Sequence, residues 1–392
     1  MAPLDGIFVL DLTRVLSGPY CTMLLADLGA RVVKVEQPGK GDDTRAWGPP
    51  FLGSESAYFL SVNRNKESLT LDFKKAAGRT VLERLVAAAD VLVENFRPGT
   101  MASLGLDGAT LTRRFPHLVY CSISGFGQTG PRATEPGYDA VMQGEGGLMS
   151  ITGPPNGSPY RLGVAIADIA TGMFAAQAVT AALYAREKTG RGQVVDVAML
   201  DSVAALLTYQ AGIYFATDIP PGRLGNRHPT IVPYETFAAA DGEFVLAVGN
   251  DELWRRFCAV AGLDLGERFA TNRQRVEGYD ELRPMLADRL QTRRRAEWIA
   301  SLTSAGVPCG SVRNLAELFA DPQVEARGMI EEVSHTSLGR VRVLGTPLKL
   351  SDTPASIRTP PPTLGEHTAR ILAGDLGLTS AEIDALRTGD VI

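Results

Sequence analysis

The sequence has few residues of the kinds that build disulfide frameworks or metal sites. Its 392 residues include 4 cysteines and 4 histidines. Neither type forms a cluster, and no Cys-x-x-Cys pair occurs. This scatter predicts reduced thiols and excludes a disulfide framework, and it predicts that no metal is bound. The residues concerned are Cys21, Cys121, Cys258, Cys309, His117, His228, His335 and His367.

Strong charge and phosphate-binding glycine motifs are also missing. The net charge of -5 argues against nucleic acid as a partner. Local basic side chains can still bind a small anionic ligand. No GxGxxG follows the first predicted strand and no GxxxxGK[ST] occurs, which excludes a standard dinucleotide site and a P-loop.

The chain lacks a long uninterrupted apolar run. Its start, MAPLDGIFVLDL, shows no basic segment followed by an apolar stretch. This predicts no signal peptide and a cytoplasmic location, or an organelle matrix if a transit peptide has been removed. The longest apolar tract, 166–185, is interrupted by Asp168, Gly172 and Gln177. It predicts a buried core helix rather than a membrane span, and no membrane partner.

Short apolar runs alternate with helical patterns in the first 130 residues. The runs 7–12, 31–36, 90–96 and 117–127 read as buried strands with helices between them. This alternation predicts an α/β fold with a parallel sheet. Ligands bind at the carboxyl ends of such strands. The loops that follow these strands therefore become candidate binding loops.

Asp168 is conspicuous because it lies in an apolar stretch, VAIADIATGMFAAQ, without a nearby cation. No Lys or Arg occurs between Arg161 and Arg186. A charged carboxylate in apolar surroundings is costly, so it should be paired, capped, neutralised or functional. In the first turn of a helix it can cap that helix, or it can be kept ionised as a nucleophile. Small neighbours, among them Ala167, Ala170 and Gly172, would leave room for a substrate.

Several stretches in order resemble CoA-transferase family III, the CaiB/BaiF family that includes formyl-CoA transferase, over nearly the whole chain. The matching stretches are LDLTRVLSGPYCTMLLADLGARVVKVE (10–36), GDDTR (41–45), LDFK (71–74), DVLVENFRPG (90–99), GFGQTGP (125–131), GYDAVMQGEGGLMSITG (137–153), IADIATGM (166–173), REKTGRGQVVDVAMLDS (186–202) and GNRHPTIVPYETF (225–237).

The resemblance implies a large Rossmann-like domain with a parallel sheet, a smaller α/β domain and an interlocked homodimer. The large CoA-binding domain would begin with 1–211, followed by a linker at 212–226, which lies in a stretch rich in Pro and Gly. The small domain would occupy 227–328. Residues 329–392 would form a return linker and complete the large domain.

The resemblance also implies the chemistry. Asp168 would be the catalytic carboxylate that moves CoA between carboxylic acids through an aspartyl-CoA thioester. CoA thioesters would be substrates, and no cofactor would be tightly bound. By family position the CoA-binding residues would be Val15, Ser17, Lys74, Asn95, Phe96 and Arg97. The family often has a basic residue after the second strand, where this chain reads Gln37-Pro38.

Tyr138 and Asp139 occupy the family position that contacts the acyl group. Racemases of the superfamily have histidine in place of Tyr138, which favours a transferase over a 2-methylacyl-CoA racemase. The formyl-CoA branch has four glycines where this chain has VGND at 248–251. The stretch GRLGNRHPTIVPYETF resembles members that use succinyl-CoA. There Arg227 or His228 would reach a distal carboxylate, or would be structural.

The sequence therefore predicts a CoA-transferase that takes an acyl-CoA, with succinyl-CoA favoured, and a carboxylic acid acceptor. Three alternatives stay open. They are a 2-methylacyl-CoA racemase, a carnitine-type CoA-transferase and a catalytically silent CoA-binding protein.

Overall fold

A computed structural model describes residues 1–392. Its strands, in chain order, are β1 (Phe8–Asp11), β2 (Arg31–Glu36), β3 (Phe51–Leu52), β4 (Glu55–Ser56), β5 (Lys66–Thr70), β6 (Val91–Glu94), β7 (Val119–Ser124), β8 (Val194–Ala198), β9 (Tyr234–Ala239), β10 (Gly242–Ala247), β11 (Cys309–Ser311), β12 (Ile330–His335) and β13 (Gly339–Leu344). Its α-helices are α1 (Ser17–Asp27), α2 (Ala57–Val62), α3 (Ala76–Ala88), α4 (Thr100–Ser103), α5 (Gly108–Arg114), α6 (Asp139–Glu145), α7 (Leu148–Ile151), α8 (Ile166–Thr189), α9 (Met199–Leu206), α10 (Thr208–Thr217), α11 (Asp251–Ala261), α12 (Asn272–Glu277), α13 (Tyr279–Leu290), α14 (Arg295–Ser304), α15 (Leu315–Phe319), α16 (Pro322–Ala326), α17 (Thr368–Gly374) and α18 (Ser380–Thr388).

Six parallel strands form the central sheet in the order β5-β2-β1-β6-β7-β8. The predicted α/β class with a parallel sheet is confirmed. The sequence analysis did not identify β5, whose residues read KESLT. Lys66 and Ser68 point into the protein and are buried, so this strand has no apolar run.

The central sheet is covered on both faces because its strand residues alternate between two apolar cores. Val9 of β1 packs in a core with side chains of α1 and α8. Leu10, the next residue, packs in a second core with side chains of α3 and α17. This layering leaves the carboxyl ends of the strands open for a site.

The end of the chain returns to the edge strand β5. The Ser68 N–H donates to Nδ1 of His367 at 3.2 Å, and the His367 N–H donates to the Ser68 carbonyl at 3.0 Å. The Thr70 N–H donates to Oγ1 of Thr368 at 3.0 Å. These bonds satisfy backbone groups that an edge strand otherwise leaves unpaired. Apolar side chains of α17 and α18 then complete one core of the sheet.

The chain divides into two compact units. The first contains 1–148, 162–212 and 322–392, and the second contains 149–161 and 213–321. The second unit has an antiparallel sheet in the order β11-β10-β9. Its apolar core is built on side chains such as Phe244, Phe257 and Trp298. The linker role of 212–226 stays a prediction, and its first residues belong to helix α10.

Helix α8 is long and apolar enough, by length and composition, to cross a membrane. In this protein it packs through small side chains. Ala175, Ala176 and Val179 belong to the core beneath the sheet. The predicted core helix is therefore present.

Buried ion pairs lie beneath the carboxyl ends of β1 and β2. Asp11 contacts Lys66 at 3.1 Å, and Lys34 contacts Asp42 at 2.8 Å, with all four side chains fully buried. Beside them, Asp27 of α1 receives two hydrogen bonds from Arg64, at 3.1 and 2.6 Å. Because one partner of a buried pair cannot be removed without leaving a buried charge, these pairs make the region sensitive to substitution.

We expect Asp27→Ala to lower the free energy of unfolding by about 3–5 kcal/mol, because it leaves the Arg64 guanidinium buried without a counter-charge. Urea unfolding followed by circular dichroism measures the change. Arg273→Ala is the control, since it removes an exposed pair with Glu277 and should leave the urea midpoint unchanged. Equal midpoints for Asp27→Ala and the wild type would contradict this account.

Candidate active site

Asp168 lies in the first turn of α8, but its side chain does not cap that helix. Ser17, the first residue of α1, lies close enough to the Asp168 carboxylate for its hydroxyl and N–H to lower the pKa of that group. The interpretation of Asp168 as the cap of its own helix is therefore wrong.

The close approach of α1 and α8 depends on Gly172. A β-carbon at this position would lie 2.6 Å from the Ser17 carbonyl oxygen, which is too close for any side chain. Ala167 and Ala170 are also buried. Gly172 therefore serves helix packing and does not leave room for a substrate. For the other small neighbours of Asp168 that expectation stays a prediction.

Asp139 caps the helix that carries Asp168. One of its carboxylate oxygens accepts from the Ala167 N–H at 2.9 Å. The other accepts from the side-chain amide of Gln143 at 2.8 Å. Sequence reasoning named Asp139 but missed Gln143, which is fully buried and one helical turn after Asp139. That one-turn spacing was the available signal.

The surroundings of Asp168 change its ionisation. Burial raises its pKa to about 6, the charge of nearby Asp139 adds to the rise, and the neighbouring hydroxyl and N–H of Ser17 oppose it. At neutral pH the carboxylate is therefore mostly ionised yet poorly solvated. This combination suits a nucleophile.

The loop between β1 and α1 is held in one conformation beside Asp168. Val15 has a φ of 70°, which is unfavourable for a β-branched residue. Its N–H points at the Asp42 carboxylate, 3.2 and 3.3 Å from the two oxygens. The Asn95 side chain accepts from the Arg14 N–H and donates to the Arg14 carbonyl, at 2.9 and 2.8 Å. The Asn95 amide is thus used to position the loop.

A cavity at the carboxyl ends of the strands brings most of the predicted site residues together. The predicted residues that line it are Val15, Ser17, Asn95, Phe96, Arg97, Tyr138 and Asp168. Lys74 lies in an adjoining cavity, and both cavities share Arg14, Phe96 and Arg97. The two cavities together form a continuous lining that leads from Lys74 and Arg97 to Asp168.

The cations along this lining differ in their surroundings. Lys74 and Arg97 are exposed and form no ion pair in residues 1–392. Arg14, which sequence reasoning did not name, lies over the Phe96 ring and pairs with Asp43 at 3.3 Å. Its place in the loop with Val15 and Ser17 was the signal. Lys74 and Arg97 are therefore available to an anionic ligand.

Arg227 and His228 are far from this loop in the sequence and belong to the second unit. The Arg227 guanidinium lies 3.4 Å from the centre of the Tyr279 ring, and His228 stacks on Tyr234. These contacts lie within that unit, and a role for either residue toward a distal carboxylate stays a prediction. Across residues 1–392 no group of three or more His, Cys, Asp or Glu residues is arranged to hold a metal ion.

Tyr58 is a second residue that the sequence did not reveal. It belongs to the same apolar cluster as Val15 and Ile169. Burial raises its pKa to about 12, and the charges of Asp168 and Asp139 contribute. The phenol is therefore protonated and close to both carboxylates.

The model of the family described as CoA-transferase family III matches residues 4–368 of this chain. The chain belongs to CoA-transferase family III. The family prediction is thereby confirmed. A solved structure of a CaiB/BaiF family protein from Brucella suis is similar in fold, with 43% identity and a TM-score of 0.84, covering 95% of this chain and 99% of that one.

Relatives of this chain are named as CoA-transferases. The chain is 42% identical to the succinyl-CoA:glutarate CoA-transferase of Homo sapiens, over 100% of this chain and 90% of that protein. It is 45% identical to the succinate–glutarate CoA-transferase of Agrobacterium fabrum, over 95% of each. The prediction of a CoA-transferase is therefore confirmed.

Proposed function

We propose that the protein transfers CoA from succinyl-CoA to a dicarboxylic acid, with Asp168 as the nucleophile. The observation that carries the proposal is the poorly solvated Asp168 carboxylate, which lies beside Ser17 at the end of a lining with two unpaired cations. The relatives named for succinyl-CoA and glutarate support this donor and make glutarate the first acceptor to test.

The reaction begins when an Asp168 oxygen attacks the thioester carbonyl carbon of the donor. The C–S bond breaks, and a mixed anhydride and the CoA thiolate form. The thiolate then attacks the Asp168 carbonyl carbon, which releases the donor acid and leaves an aspartyl-CoA thioester. The acceptor carboxylate attacks this thioester, and the same two steps in reverse give the new acyl-CoA and the free Asp168 carboxylate. Each tetrahedral intermediate carries an oxyanion that needs hydrogen-bond donors.

The adjoining cavity supplies a place for the phosphates of CoA. Lys74 and Arg97 are cations without internal partners, and phosphates form strong charge-assisted hydrogen bonds with such groups. Phe96 lies between the two cavities, where the pantetheine arm would pass toward Asp168. Val15 and Tyr138 would then flank the thioester and the acyl group.

The deciding experiment combines purified protein, succinyl-CoA and glutarate, and follows the CoA esters by mass spectrometry. The wild type should form glutaryl-CoA, and Asp168→Ala should lower the rate by at least about 10⁴-fold, because no covalent intermediate can form. Full activity of Asp168→Ala would exclude the proposed nucleophile. Exchange of an α-proton for deuterium without any new ester would indicate a racemase instead.

Arg97→Ala should raise the KM for succinyl-CoA about 10-fold, as expected for one lost charge-assisted hydrogen bond to phosphate. The matched control is Lys75→Ala, because the Lys75 ammonium binds the carbonyls of Gly389 and Asp390 instead of facing the cavity. Initial rates measured at a series of succinyl-CoA concentrations give the KM of the wild type and of each variant. Equal KM values for Arg97→Ala and the wild type would remove Arg97 from the CoA site.

We also propose that two chains form an interlocked homodimer. Helix α10 has no buried residue, although it carries large apolar side chains such as Tyr214 and Phe215. Exposed apolar side chains of this kind are typical of an interface. Light scattering should give twice the chain mass of 41.9 kDa, and dilution should not separate the chains without unfolding. A single-chain mass would exclude the dimer.

A further inference from the structure

Gln143 is a fully buried amide side chain next to the two carboxylates of the site. Its Nε2 donates to Asp139 at 2.8 Å, and its Oε1 accepts from the Leu162 N–H at 2.9 Å. Both ends of the amide are therefore hydrogen-bonded. The nitrogen donates to a carboxylate and the oxygen accepts from an N–H, so the amide could not make these bonds if it were reversed. A buried amide with two such bonds holds the two groups that it contacts in place.

These two contacts hold the segment that leads into α8 at both ends. Leu162 is where the chain rejoins the first unit. Asp139, oriented by Gln143, accepts from the Ala167 N–H at the other end. Between them, Gly163 and Val164 are exposed. The position of Asp168 follows directly from that of Ala167.

The bond from Gln143 also determines the electrostatics beside Asp168. Each oxygen of Asp139 has one N–H donor, from Gln143 and from Ala167. The carboxylate is thus held in one orientation, with its charge close to Asp168. The titratable and charged groups around these helix ends are Tyr58, Asp139, Asp168, Asp201 and Glu145, which pairs with Arg132.

We propose that Gln143 is a positioning residue for CoA transfer, which fixes the start of α8 and the anion beside Asp168. The proposal rests on the assignment of Asp168 as the nucleophile. It gives Gln143 no contact with substrate. Loss of the Gln143 side chain should therefore affect the chemical steps and their pH dependence rather than donor binding.

Gln143→Glu provides the sharpest test. Glutamate keeps the size of the side chain and an oxygen for the Leu162 N–H. Its protonated form can donate to Asp139, whereas its ionised form places two negative charges within hydrogen-bond distance. In the wild type, kcat should rise through a pH of about 6 as Asp168 ionises and then stay level. In Gln143→Glu, kcat should fall again at higher pH, where the second proton is lost.

Gln143→Met removes both hydrogen bonds while keeping a similar volume. We expect kcat to fall about 100-fold through misplacement of Asp168, with the KM for succinyl-CoA unchanged. Intact-protein mass spectrometry should show slower formation of the covalent CoA adduct. The control is Ser202→Ala in α9, the helix that packs against α6. It removes another buried hydrogen bond, from the Ser202 hydroxyl to the Ala198 carbonyl at the end of β8, and should keep wild-type kinetics.

The outcomes separate this inference from the proposed function. A wild-type pH profile in Gln143→Glu, or a uniform loss at every pH, would overturn the positioning role. An increase in KM without a change in kcat in Gln143→Met would also overturn it. If Asp168→Ala stays active, the nucleophile assignment fails, and the inference fails with it. An inactive Asp168→Ala together with an alkaline loss in Gln143→Glu supports both.

Discussion

The close packing of α1 against α8 is the contact on which the candidate site depends. It places Ser17, the first residue of α1, beside Asp168 in the first turn of α8. Gly172 makes this approach possible, because a β-carbon there would lie 2.6 Å from the Ser17 carbonyl oxygen. Burial raises the pKa of the Asp168 carboxylate and the Ser17 hydroxyl and N–H lower it, so a residue of one helix adjusts the ionisation of a group on the other.

The rigidity of the loop beside Asp168 comes from the ion pairs beneath the sheet. Asp42 pairs with buried Lys34 and faces the Val15 N–H with its carboxylate. The unfavourable φ of Val15 is maintained by that contact and by the bonds between Asn95 and Arg14. The buried charges are therefore connected to the cavity through Val15. A change in this network should alter the site without touching any substrate contact.

Much of this organisation could be predicted from the sequence, and the gaps have physical causes. The parallel sheet was predictable because β1 and β2 are apolar runs separated by a helical pattern. Strand β5 was not, because Lys66 and Ser68 face buried partners instead of apolar neighbours. Asp168 was conspicuous as an isolated acid, but its neighbour Ser17 lies about 150 positions away in the sequence. No local pattern predicts such a contact.

The return of the chain to β5 has a consequence for synthesis on the ribosome. The core that covers one face of the sheet includes Ile371, Leu372 and Ile383. Until these last residues emerge, the strands made first expose an apolar surface and an unpaired edge. The second unit has a core drawn from a continuous stretch of chain, and its residues are complete well before the terminus. The first unit to be started is therefore the last to be finished, and the nascent chain must be protected from aggregation meanwhile.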